Sequence, residues 1–223
     1  MGSIIGQILP LALGIAISPV PIIAAILMLL SPRARTTSIG FLAGWLVGII
    51  AVTSVFTMLS AFLPESGPTG PKPILGTIQL LLGLTLLLLA AKQWRGRPGP
   101  DDAPQLPKWM RSIDRIHFGG ALGLGLLLAA VNPKNLLLGA SAGVTIGSAA
   151  LGFGATAGTI TVFTALAGCT VLVPVIGALA ASKRLAGPLA SLRDWLAQEN
   201  AVIMTVVLLL LGVSVLGKGI GSF

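Results

Sequence analysis

Charged and strongly polar residues are sparse along this chain, and they collect in short gaps between long apolar runs. The runs cover roughly 3–30, 37–63, 73–91, 117–147, 152–181 and 200–217. An α-helix needs about 20 apolar residues to cross a bilayer, so the pattern predicts six transmembrane helices. The first run has no basic segment before it and is longer than the apolar core of a cleavable signal. It is expected to stay as a membrane helix.

Composition agrees. Apolar residues make up 55% of the 223 positions and charged residues 9%, and the mean hydropathy is +0.99. A soluble domain carries about 25% charge, so that class is excluded. The net charge of +8 would suit a nucleic-acid partner, but its placement points elsewhere. Arg33 and Arg35 follow the first run. Lys92, Arg95, Arg97, Lys108, Arg111 and Arg115 follow the third, and Lys183, Arg184 and Arg193 the fifth. The even gaps hold only Lys72. Basic gaps stay on the cytoplasmic side, which predicts both termini outside and no nucleic-acid partner. A single cysteine, Cys169, excludes a disulfide framework, a dithiol carrier and a thiolate metal cluster. Cys169 reads as a small apolar residue.

Two basic gaps have a pattern of their own. Leu106, Met110, Ile113 and Ile116 recur at helical spacing beside Trp109, as do Leu185, Leu189, Leu192 and Leu196 beside Trp195. Apolar stripes with Trp and basic residues predict short helices lying in the headgroup plane.

The two halves of the chain resemble each other. Ser18-Pro19-Val20-Pro21 interrupts the first run, and Asn132-Pro133-Lys134-Asn135 interrupts the fourth. Pro19 and Pro133 lie 114 positions apart, and the same offset places Gly40 and Gly44 on Gly154 and Gly158. Leu82-Gly83-Leu84-Thr85 resembles Leu211-Gly212-Val213-Ser214 at an offset of 129. Halves of three spans enter the membrane from opposite sides. The fold expected is therefore an all-α integral membrane protein, six helices in a 3+3 inverted repeat with helices 1 and 4 broken. Its units are residues 1–95, a cytoplasmic linker at 96–116, and residues 117–223. The glycine pairs are read as sites of close helix packing within the fold.

Proline inside a helix removes a backbone donor and clashes with the preceding turn. In hydrocarbon the freed groups must be met by protein or by water in a cavity. Paired breaks in opposed halves are where transporters place their central site. Lys134 is the one basic residue within a run, and such residues usually face an interior cavity. No Asp or Glu lies within a run, which argues against metal-cation export and a carboxylate proton relay. His117, the only histidine, sits at a membrane edge and reads as an interfacial residue. No metal site, cofactor or enzyme activity is expected.

Several segments together resemble one family. They are Leu9-Pro10-Leu11-Ala12-Leu13-Gly14-Ile15-Ala16-Ile17-Ser18-Pro19-Val20-Pro21-Ile22-Ile23, Leu30-Ser31-Pro32-Arg33-Ala34-Arg35, Gln93-Trp94-Arg95-Gly96-Arg97-Pro98, Leu106-Pro107-Lys108-Trp109-Met110 and Ala130-Val131-Asn132-Pro133-Lys134-Asn135-Leu136. The chain is similar through these to the GAP or Sap-like proteins, the glycolipid- and sulfolipid-addressing family within the lysine-exporter (LysE) superfamily. The resemblance implies a six-helix plasma-membrane protein that helps move envelope lipids or glycolipids outward, with the proline motifs lining the site. On that reading Asn132, Lys134 and Asn135 meet an anionic head group, with Ser18 and the backbone near Pro19, Pro21 and Pro133 around it. Arg33 and Arg35 anchor the cytoplasmic loop or gather cargo. The alternatives are an exporter of a small amino acid or similar metabolite, and a scaffold for a larger lipid exporter. A homodimer or such an assembly would be the protein partner.

Overall fold

A computed structural model describes residues 2–62, 73–97 and 116–222. Among the described residues every regular element is helical: α1 (Gly2–Ala16), α2 (Pro19–Leu29), α3 (Ala34–Leu59), α4 (Pro73–Arg95), α5 (Phe118–Ala130), α6 (Pro133–Gly147) and α7 (Phe153–Ile220). A single 3-10 turn, Ser60–Phe62, closes α3. The expected interfacial helix at 106–116, with Trp109 and its basic residues, lies almost wholly outside the described residues.

Four stretches are long and apolar enough to cross a membrane: α3, Gly76–Arg95 in α4, and Phe153–Leu179 and Leu185–Ile220 in α7. Two further spans arise if α1–α2 and α5–α6 each count as one; these pairs bend by 54° and 65°. The protein is thus a multi-pass membrane protein with four to six crossings. Its apolar exterior fits, since Val47, Val55, Leu81, Leu88, Val173 and Leu210 all face outward, where lipid tails would meet them.

The last two expected spans belong to one helical stretch of 68 residues. It is not straight. Thr170 bonds to Ala16, while Leu211 packs on the position of Gly14, so both sites touch the end of α1. A straight helix would hold residues 170 and 211 about 60 Å apart at 1.5 Å per residue, so α7 doubles back between them. The Leu185 side chain lies 3.4 Å from where a Gly177 Cβ would be, which puts the reversal between these residues. The separate interfacial helix expected after span five is instead the continuation of α7. Leu189 and Leu196 are buried in the core while Leu192 and Trp195 stay exposed. One side of that stripe is thus taken up by the protein itself. The side chains of Lys183 and Arg184 lie outside the described ones.

Contacts between glycines and neighbouring helices fix the directions. Gly40 lies against Phe118, Gly44 against Leu122 and Gly48 against Leu126; Gly139 then meets Val52, Gly143 Phe56 and Gly147 Ser60. The two series rise together, so α3 runs parallel to α5 and α6. Gly219 meets Leu80 and Gly212 meets Leu87, so α4 runs antiparallel to the end of α7. A Cβ on Gly44 would strike the Leu122 carbonyl oxygen, and one on Gly125 the Phe41 carbonyl oxygen. Only glycine permits this backbone approach. Gly40 and Gly44 are packing sites, as expected, but Gly154 is exposed with nothing within 4 Å of its Cβ position. The packing role does not extend to it.

Candidate functional site at the paired helix breaks

The first break follows from its prolines. α1 ends at Ala16, Ser18 is extended at φ −115° and ψ 102°, and α2 begins at Pro19. A residue before proline is driven out of the helical region, and Pro19 and Pro21 offer no N–H to the carbonyls of Ile15 and Ile17. The second break repeats the device. α5 ends at Ala130, Asn132 is extended, and α6 begins at Pro133. Asn132 is the N-cap of α6: its side chain accepts from the Lys134 amide at 3.1 Å. The breaks are offset by the 114 positions read from the prolines.

The structure brings the two breaks together through Lys134. Its ammonium donates to the Gly14 carbonyl at 2.6 Å and to the Ile17 carbonyl at 3.2 Å. Thr170 donates to the intervening Ala16 carbonyl at 2.7 Å. Three carbonyls at the end of α1, those of Gly14, Ala16 and Ile17, are thus met by side chains from α6 and α7. The electrostatics explain the direction of the side chain. Lys134 belongs to the first turn of α6, where the helix dipole disfavours a cation; it reaches to the C-terminal end of α1, where the dipole favours one. It is 2% exposed. The contacts are with neutral carbonyls, and the described stretches of α1, α2, α3, α5 and α6 carry no carboxylate.

The neighbours of Lys134 are also placed. Asn135, 2% exposed, donates through Nδ2 to the Leu128 carbonyl at 2.9 Å and so spans its own break. Its Oδ1 is buried without a partner, as is the hydroxyl of Ser18, itself 1% exposed. Pro19 and Pro21 are buried, Asn132 is half-buried and Pro133 is exposed. Five of the seven expected residues are therefore sequestered at the breaks, Asn132 works as a cap, and Pro133 lies at the surface. The sequence reading missed Thr170 and the carbonyls of Gly14, Ala16, Ile17 and Leu128. Backbone acceptors leave no mark in a sequence, and Thr170 stands in an apolar run without a distinguishing motif.

Arg33 and Arg35 are both exposed. Arg33 Nη1 lies 2.7 Å from His117 Nδ1, linking the α2–α3 turn to the start of α5. A guanidinium only donates, so Nδ1 is the acceptor in this contact. His117 thus has a specific partner that the sequence did not reveal. Among the described residues no group of three or more His, Cys, Asp or Glu is placed to hold a metal.

Fold and site together define a multi-pass helical membrane protein in which two interrupted helix pairs share one buried ammonium. The family model described as Sap, sulfolipid-1-addressing protein, matches residues 8–221. The chain belongs to that family. No curated protein and no solved structure matches it.

Proposed function

We propose that this chain is a plasma-membrane carrier, not an enzyme, that moves an anionic lipid or glycolipid of the cell envelope outward through the paired breaks. One observation carries the reading: the Lys134 ammonium is buried on the Gly14 and Ile17 carbonyls rather than on a carboxylate. An anionic oxygen adds to the bond a charge–charge attraction that a neutral carbonyl does not offer, about 4 kcal/mol at 4 Å for an effective dielectric near 20. An anionic oxygen reaching Lys134 would therefore displace those carbonyls, and the end of α1 would be released as cargo binds. Ser18 Oγ and Asn135 Oδ1, both unpartnered, supply further polar contacts, and Asn132 and Pro133 hold the start of α6 in register. Sulfolipid addressing, named in the family description, suits an anionic cargo.

The arrangement invoked is a 3+3 inverted repeat with both termini outside and the Arg33–His117 link on the cytoplasmic face. Its support is the shared offset of the breaks and the directions of the packed helices. The decisive experiment is reconstitution of the purified chain into liposomes containing a fluorescent anionic lipid, with flipping followed by quenching from outside. Lys134→Ala should slow flipping about 10–100-fold, since a hydrogen bond to a charged group is worth about 1.5–3 kcal/mol. Equal rates for variant and wild type would remove Lys134 from the site. A wild-type protein that flips nothing would favour the scaffold.

A further inference from the structure

Lys134 is not the only lysine bound to the backbone of α1. Lys218, near the end of α7, donates to the Gln7 carbonyl at 2.9 Å. Gln7 and Gly14 lie seven residues apart, two turns of α1, and so share one face of it. The register of α7 agrees: Leu211 packs at the Gly14 position, and Lys218 follows it by seven residues on the same side. The two ammoniums therefore stand on one side of α1, with their acceptors about 10 Å apart along its axis at 1.5 Å per residue. Pro10, inside α1, offers no N–H to the Gly6 carbonyl, so the outer turns of this helix also carry a spare acceptor. A lysine near a membrane surface can stretch its stem out to water. Lys218 is folded back and half-buried instead. Its partner is a neutral carbonyl, and the described stretches of α1, α4 and α6 carry no acid. Glu199, the nearest acid along α7, lies 19 residues before it.

We propose that Lys218 is a second anion station, which receives the anionic oxygen of a head group as it leaves Lys134. The proposal rests on the carrier reading and adds to it an order of events. Lys218 lies towards the chain termini, the side that reading places outside. The head group first displaces the Gly14 and Ile17 carbonyls from Lys134, while Lys218 still holds α1 at Gln7. It then displaces the Gln7 carbonyl from Lys218, and the Lys134 ammonium returns to its own carbonyls. Each exchange trades a neutral acceptor for a charged one, so neither ammonium is left without a partner. Water reaches Lys218 and not Lys134, and a solvated ion pair is the weaker one. The anion is thus held tightly at the break and loosely at the outer end, the gradient that release requires.

The test compares two fluorescent probes, a sulfated monoglycosyl diacylglycerol and the same lipid without its sulfate. Flipping is followed in liposomes and binding in nanodiscs, both with the full chain. Lys218→Gln keeps a donor for the Gln7 carbonyl but removes the charge. It should slow flipping of the sulfated probe and weaken its binding about 3–10-fold, less than a fully buried charge would, and leave the unsulfated probe within about two-fold. Lys218→Arg, which keeps the charge, should restore the sulfated probe. Wild-type values for Lys218→Gln, equal losses for both probes, or an equal loss in Lys218→Arg would overturn the station and leave Lys218 as a structural clip. A wild type that flips neither probe, yet binds the sulfated one through Lys218, would refute the carrier and retain the anion site. A wild type that binds neither would overturn both.

Discussion

At the scale of single residues the energetics centre on the last turn of α1. Lys134→Met would remove the ammonium and leave the Gly14 and Ile17 carbonyls unpaired, at about 1–3 kcal/mol for each buried group. It would also remove the cost of holding a cation in a low dielectric. The two effects oppose, so thermal unfolding in detergent should shift by no more than about 3 kcal/mol even where flipping collapses. Thr170→Val removes one neutral bond to Ala16. It should cost about 1 kcal/mol of stability and slow flipping less than Lys134→Ala does. A larger loss of flipping for Thr170→Val would mean that the hydroxyl, and not the ammonium, governs the break. Lys134 and the prolines were legible because each violates a rule of membrane helices: charge in oil, or a missing donor. The destination of the ammonium was not. Gly14 lies 120 positions away, and only the packing register between α1 and α6 decides which carbonyls it reaches.

At the scale of elements, the close seams make the sharpest predictions. Gly44→Ala would drive a methyl group into the Leu122 backbone, which cannot move as a flexible side chain would. Overpacking of this kind costs about 1–3 kcal/mol, occasionally more. Gly154→Ala, with open space around it, should leave stability unchanged. Matching both glycine pairs through one offset overreached for Gly154, because a repeat in sequence does not oblige both copies to meet a neighbour. The α7 segment after residue 185 teaches a similar lesson. Its leucine stripe announced an amphipathic helix, and helix it is, but the sequence could not say that protein rather than headgroups would cover Leu189 and Leu196. The Arg33–His117 bond is exposed, and such pairs contribute little. A double-mutant cycle with Arg33→Ala and His117→Ala should give a coupling below about 1 kcal/mol in thermal unfolding. A larger value would make the turn a structural tie of the fold.

For the whole molecule, the multi-pass helical class and the two breaks were readable because crossing a bilayer demands length and apolarity that little else in a chain requires. The turn between the fifth and sixth runs was legible from the basic gap at Lys183 and Arg184, but not that helix would continue through it, since the stripe beyond predicts a separate helix. Orientation can be checked directly: an enzyme reporter active only outside the cytoplasm, fused at either terminus, should be active if the basic gaps face inward. The backbone contacts also divide the protein. One set welds α3 to α5 and α6; another welds α4 to the end of α7. Backbones in van der Waals contact along several turns act as rigid girders, and α1 bridges them, clipped to one by Lys134 and to the other by Lys218 on the Gln7 carbonyl at 2.9 Å. On the proposed carrier reading, cargo that displaces the Lys134 bonds frees α1 from one girder while Lys218 still holds it to the other, and the two girders then swing past each other. A covalent staple from α1 to α6 should stall such a machine, whereas one from α3 to α5 should pass unnoticed.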